Sequence, residues 1–295
     1  MLVVKDSAEH HFLTQVDKIK TNPAGWVAIH AALGRKIDHE SLIADPKQLA
    51  AKLAEMKKES DDVLARLDAD RGAFTQAILY QFADSDIMLL FHPHDKTSHD
   101  AFYDLFKMMS ATMKSGLIDF IDFGRDIMGA QKLVDRKLLA QQRMKAYAAL
   151  TDEHRLTSIP VRRARRENAI VQIVEDDRFT ATYTTGILNK DYDVLHSRTG
   201  ENAVIDYIEH APDIVFLDIH LPGLDGLETL HAIRKADPAA HIIMVSVDTV
   251  KDNIMTATER GAASFLKKPF SKDRLVAIVE KSPFIKGSKS IIGRA

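Results

Sequence analysis

The chain has 295 residues, 45% of them apolar and 28% charged, with a formal net charge of −2 and no cysteine. That length suits about two domains, the near-neutral charge excludes a global field that would draw the chain onto nucleic acid or a membrane, and the lack of cysteine excludes disulfides, thiolate catalysis and zinc–thiolate sites. No apolar run reaches the ~18 residues of a membrane span, and Met1-Leu2-Val3-Val4-Lys5-Asp6 lacks the apolar core of a secretory signal, so the expected location is cytoplasmic.

In chain order, Glu9 to Lys20 is a predicted helix, and Gly25 to His30 a strand whose Trp26 and His30 are expected in the core. Asp45-Pro46 opens a helix, with Asp45 as cap and Pro46 in the first turn. Leu49, Leu53, Met56, Val63 and Leu67 then recur on one helical face. Phe74 to Phe82 and Ile87 to Phe91 read as strands joined by the polar turn Ala83-Asp84-Ser85-Asp86. Thr97 and Asp100 have capping-box spacing, before a helix with Phe102, Leu105, Phe106, Met109 and Met113 on one face. Leu117 to Ile121 is the last strand. The order strand, helix, strand, strand, helix, strand is that of a ferredoxin-like sandwich, so residues 1–124 are expected to form an α+β domain of unassigned role. His92, His94 and His99 could be metal ligands, but histidines in a loop more often face solvent. No helix-turn-helix stands out, and DNA binding is not expected.

Residues 125–167 are expected to form a long helix, from about Arg125 to Glu153, and a basic linker. Ile127, Ala130, Val134 and Leu138 begin an apolar stripe, and Met144, Tyr147 and Leu150 continue one after a phase shift. The stripe suits either a homodimeric coiled coil or packing on its own domain. Ser158 to Asn168, with Pro160 and Arg162, Arg163, Arg165 and Arg166, reads as a solvated linker.

From residue 168 to 284, strands and helices alternate. Predicted strands are Ile170–Val174, Tyr192–His196, Ile214–Leu217, Ile242–Val245 and Ser264–Lys267. Helices are predicted over Phe179–Leu188, Glu201–Glu209, Leu227–Arg234, Lys251–Arg260 and Lys272–Glu280. Five such pairs imply a doubly wound five-stranded parallel sheet, with ligand sites at the carboxyl ends of its strands. Residues 285–295 are a tail.

The strand ends carry the chemistry. Glu175 and Asp176 follow the first strand and Asp218 ends the third, so three carboxylates share one edge. Such acids repel one another, and Mg²⁺, which accepts carboxylate and phosphate oxygens together, removes that cost. Ser246 and Lys268, at the fourth and fifth strand ends, can meet a phosphoryl group, and an aspartate can attack phosphorus to form an acyl phosphate. Asp177 is expected to cap a helix.

Together, Glu175-Asp176, the Asp218 loop through Pro222 and Gly226, Ser246, Gly261-Ala262, Phe265 and Lys268-Pro269-Phe270 resemble the receiver domain of bacterial two-component response regulators, the CheY-like fold, over about 168–281. The resemblance implies that a histidine kinase or phosphotransfer protein phosphorylates Asp218. It implies Mg²⁺ held by Asp176 and Asp218, by Glu175 through water and by the His220 carbonyl. Ser246 and Lys268 would bind the phosphoryl group, and Ser246 and Phe265 would form the switch. Val247 departs from the smaller residue usual beside the phosphoryl path, and His220 and Asp248 occupy variable positions that influence phosphoryl lifetime. A haloacid-dehalogenase-type phosphatase would need a second acid where His220 stands. A flavodoxin would need a Ser/Thr/Gly-rich loop in place of Glu175-Asp176-Asp177.

These readings imply a response regulator, not an enzyme, whose N-terminal domain binds a downstream protein partner. The alternative is a receiver-regulated cryptic enzyme or nucleotide-binding module. The Ala83–Asp86 turn stands where a diguanylate cyclase palm carries its Gly-Gly-Asp-Glu-Phe turn, but without the glycines and contiguous acids, so a palm here is expected to be catalytically silent.

Overall fold

The computed structural model describes residues 1–36, 45–69, 77–112, 117–247 and 251–285. The predicted residues Phe74, Met113 and Asp248 and the tail beyond 285 lie outside these ranges. The fold divides between Met144 and Lys145 into two compact units.

In the N-terminal unit the strands are β1 (Leu2–Val4), β2 (Val27–Ala31), β3 (Ile78–Gln81), β4 (Ile87–Phe91) and β5 (Ile118–Asp122). The helices are α1 (Ala8–Ile19), α2 (Pro46–Ala69), α3 (Lys96–Thr112) and α4 (Ile127–Leu150), the last belonging to this unit up to Met144. The sheet order is β1-β3-β4-β2-β5, antiparallel except where β1 lies parallel to β3. Its β2 to β5 part has the strand order expected of a ferredoxin-like sandwich. Strand β1 is an addition that three residues are too few to announce by alternation. Strands β2 and β4 are buried throughout because both sheet faces are covered. Leu64 and Leu67 of α2 and Phe102, Leu105 and Met109 of α3 pack with Ile29, Leu79 and Leu89 on one face. Phe12 and Val16 of α1 and Ala130, Leu133 and Val134 of α4 pack with Ala28, Tyr80 and Met88 on the other. The apolar stripe that opens α4 is therefore used within its own unit.

Two local expectations change, and a third gains a partner. Helix α3 begins at Lys96, and the Ser98 amide donates to Asp95 Oδ1 at 2.8 Å. Asp95 therefore makes the capping contact, and Thr97 lies inside the helix. Ser158–Asn168 is not a solvated linker: α5 (Glu153–Ala164) runs through Pro160. A proline inside a helix costs about 3 kcal/mol, and the arginine bonds described below offset it. His30 is buried as expected, and its ring is hydrogen-bonded to Asp86.

The C-terminal unit carries β6 (Ile170–Val174), β7 (Asp193–Ser197), β8 (Ile214–Asp218), β9 (Ile242–Ser246) and β10 (Ser264–Lys267). Between and after them lie α6 (Arg178–Leu188), α7 (Gly200–His210), α8 (Gly226–Ala236), α9 (Lys251–Glu259) and α10 (Lys272–Val279). All strands are parallel, in the order β10-β9-β8-β6-β7. Strands β8 and β9 are wholly buried, as strands covered on both faces require. The order reverses beside β6, which opens a crevice at the carboxyl ends of β6 and β8.

Candidate functional site

Parallel strands end on one edge, so the residues that close β6, β8, β9 and β10 meet there. Oxygens of Glu175, Asp176 and Asp218 lie within 4.8 Å of one another. Asp218 is 7% and Glu175 3% exposed, whereas Asp176 faces solvent. Lys268 Nζ reaches Glu175 Oε2 at 2.5 Å and Asp218 Oδ2 at 2.6 Å. Asp218 Oδ1 accepts the His220 amide at 3.2 Å. Ser246 closes β9, its hydroxyl-bearing residue buried at the same edge, and its carbonyl accepts the Lys268 amide at 2.8 Å. Phe265 is half-buried on β10, and Val247, beside Ser246, is 58% exposed.

The loop after Asp218 is shaped by two glycines. A Cβ at Gly226 would fall 2.1 Å from the Asp218 carbonyl, so only glycine lets α8 begin against the acceptor strand. Gly223 has φ +83°, a conformation that side chains disfavour. Asp225 and Glu228 then close a capping box. Asp177 caps α6 by accepting the Thr180 amide at 2.8 Å, which holds its carboxyl below the usual range.

The electrostatics suit a cation. Burial pushes Glu175 up to about 7; Lys268 opposes the shift and the neighbouring Asp218 charge adds to it. Burial would lower Lys268, but its bonds to Asp218 and Glu175 hold it above the ordinary lysine range. Three carboxylates against one ammonium leave an excess of negative charge with one acid open to water. That donor set of oxygens fits Mg²⁺.

The other sequence candidates do not form a site. His92 and His94 lie tilted with centroids 5.4 Å apart, His92 lies edge-on to Trp26 and His99 stacks on Tyr103. Among the described residues, the only group of three or more ligand-bearing side chains close enough to hold a metal is the Glu175 cluster. At the β3–β4 turn, His30 Nε2 donates to Asp86 Oδ2 at 2.9 Å. Lys137 of α4 donates to Asp84 Oδ2 at 2.8 Å and also to Asp86. The Gly34 amide takes Asp86 Oδ1 at 2.6 Å. The turn's acids are thus held by donors from inside the unit. Neither Lys137 nor His30 signals this locally, because each partner is more than 50 residues away in sequence.

Arg162, Arg163 and Arg166 of the basic segment bond within the unit, whereas Arg165 is exposed. Arg163 donates to Asp237 at 2.5 Å and to Tyr207 at 2.8 Å, and its guanidinium lies 4.3 Å from the Phe284 ring centroid. Arg166 pairs with Asp213 at 3.2 Å.

Residues 171–280 match the family model of the response regulator receiver domain. No family model matches the residues before them. Over 112 residues the chain is 39% identical to the chemotaxis protein CheY of Listeria monocytogenes, covering 37% of this chain and 94% of that protein. Over 115 residues it is 35% identical to the nitrogen assimilation regulatory protein NtrX of Azorhizobium caulinodans, covering 38% of this chain and 25% of that protein. Among solved structures, the receiver domain of NtrX from Brucella abortus is 32% identical, with a TM-score of 0.36, over 38% of this chain and 96% of that one.

Proposed function

The chain belongs, through residues 171–280, to the response regulator receiver family, and on that premise we propose that Asp218 accepts a phosphoryl group and so switches the N-terminal unit. Phosphorylation and Mg²⁺ dependence are general to receivers, as is interaction with histidine kinases or phosphotransfer proteins. The observation that carries the assignment to Asp218 is the convergence of Glu175, Asp176 and Asp218 around Lys268 at one strand edge.

In this reading an Asp218 carboxylate oxygen attacks phosphorus. The donor's bond to phosphorus breaks as the acyl phosphate bond forms, and the donor group leaves with the electron pair. The Lys268 ammonium, which already touches Asp218, turns to the arriving oxygens, whose charge it offsets. The Ser246 hydroxyl donates to the same group and, with Phe265, forms the switch. Asp176, Asp218, Glu175 and the His220 carbonyl would hold Mg²⁺, which supplies neutralisation of phosphoryl charge when bound. Val247, exposed beside Ser246, narrows the approach and slows turnover.

The N-terminal unit, in the same proposal, binds a protein partner and is not an enzyme. Support comes from Asp84 and Asp86, the acids at the position a palm uses for chemistry. Both are buried against Lys137, and Asp86 also against His30. The test of the first claim is incubation of the full chain with acetyl phosphate and Mg²⁺. One phosphoryl adduct is expected by mass spectrometry, and none for Asp218→Asn; an adduct that persists in the variant refutes the assignment. For the second, titration with cyclic dinucleotides and nucleoside triphosphates should give no saturable Mg²⁺-dependent binding, and turnover would overturn it.

A further inference from the structure

Helix α7 links two ends of the receiver that the acceptor chemistry does not itself join. At its first turn Glu201 is fully buried, and its Oε1 accepts the Leu224 amide at 3.1 Å. A Cβ on Gly223 would fall 2.2 Å from Glu201 Oε2, and one on Gly200 would fall 2.3 Å from the Leu224 carbonyl. The start of α7 therefore grips the loop that leaves Asp218.

At its other end, three arginines of the α5 segment cover the carbonyls of five consecutive residues. Arg162 donates to Ile208 and Glu209, each at 2.6 Å. Arg166 donates to His210 at 2.7 Å and Ala211 at 2.6 Å, and Arg163 to Pro212 at 3.0 Å. A helix C-terminus leaves its last carbonyls without intrahelical donors and carries partial negative charge, so guanidinium groups complete it. Asp237 and Tyr207 fix Arg163 in turn.

We propose that α7 is the strut that carries phosphorylation of Asp218 to α5, with Glu201 as the positioning residue at the loop and Arg162, Arg163 and Arg166 as the receiving end. The inference rests on the Asp218 reading. A buried carboxylate has no water to replace a lost donor, so a shift of Leu224 must be followed by Glu201. An α-helix transmits that shift along its axis, and the arginine bonds pass it to α5, the helix that follows α4 in the chain.

The test is hydrogen exchange by mass spectrometry on the full chain, with circular dichroism confirming that each variant is folded. Without ligand, Arg162→Ala and Arg166→Ala should speed exchange in the 219–225 loop roughly fivefold or more, since coupling is reciprocal. Loosening of α5 with the loop unchanged overturns the strut. With Mg²⁺ and beryllofluoride, exchange across 153–166 should change in the native protein and in Glu201→Gln, which keeps an acceptor for Leu224. The change should be lost in Glu201→Ala. A mimic that protects the 219–225 loop while α5 stays unchanged overturns the strut. A mimic that does not bind at all overturns the Asp218 reading, and the ligand-free arm then decides the strut alone.

Discussion

Each unit encloses a lysine among carboxylates, and the two clusters differ in charge balance and exposure. In the N-terminal unit Lys137 meets Asp84 and Asp86, with His30 on Asp86, and all four residues are at most 8% exposed. In the receiver Lys268 meets Glu175 and Asp218, with Asp176 beside them facing solvent. The first cluster has every carboxylate held by a buried donor, Lys137 on both and His30 on Asp86. The second has an excess of anions and an open side. The same residue types thus make a fastener in one place and a reactive site in the other.

The largest expected difference lies in removing the lysines. Lys137→Met leaves two carboxylates buried without their ammonium and should cost about 3–5 kcal/mol, read from the fluorescence of Trp26, the single tryptophan. Lys268→Met should cost less than half of that in the receiver, measured by hydrogen exchange, and Mg²⁺ should restore it. Equal losses, with no Mg²⁺ effect, would erase the distinction.

Cation binding sharpens it further. Mg²⁺ at a hundredfold excess over its dissociation constant should stabilise the receiver by about 2.7 kcal/mol and leave the Trp26 transition where it was. A chelator should reverse the gain. Stabilisation of both transitions would mean that the N-terminal acids are also open to metal.

Asp86 and Glu175 should answer pH with opposite signs, while burial raises Asp84 beside Asp86. Burial acts to raise Asp86, but the His30 bond and the Lys137 charge outweigh it and hold Asp86 at about 2. Its folded value is depressed, so its stabilisation is present above the ordinary 3.8 and is lost as pH falls toward 2. Burial raises Glu175 from 4.5 to about 7, so the metal-free receiver holds a proton that the unfolded chain releases. Its contribution is lost as pH rises through that window. The terms are on the order of 2 and 3 kcal/mol before screening, and titration of each carboxyl followed by carbon-detected NMR would expose a shared sign.

The smallest effect is that of Asp218→Asn on the metal-free protein. Removing the like charge should let Glu175 move back toward the ordinary carboxylate range and stabilise the receiver by about 1 kcal/mol. Carbon-detected titration of Glu175 checks the shift; an unchanged value would leave burial as the whole cause.

Much of the receiver was legible because its local signals and its tertiary roles coincide. Val215-Phe216-Leu217 is apolar because both faces of β8 are covered, and Asp218 follows because chemistry sits where a strand ends. Asp177 caps α6 as its position suggests. Glu201 reads as an ordinary first-turn acid, and nothing in its neighbours announces that it is buried on the Leu224 amide. Arg162, Arg163 and Arg166 mislead in the same way: charge density near a proline reads as solvated chain, whereas they also bond partners 44 to 74 residues away.

By itself, therefore, the sequence determined the alternating order of strands and helices and the residues delivered to one sheet edge. Strand ends are local features, and a parallel sheet carries them all to one side. Only the tertiary structure decided which charges neutralise which. Lys137 and Lys268 are alike in composition and differ in surroundings, since the choice of partner for a buried charge depends on packing, not on neighbours in the chain. That choice makes Asp84 and Asp86 part of a closed core and leaves Glu175, Asp176 and Asp218 open to a cation.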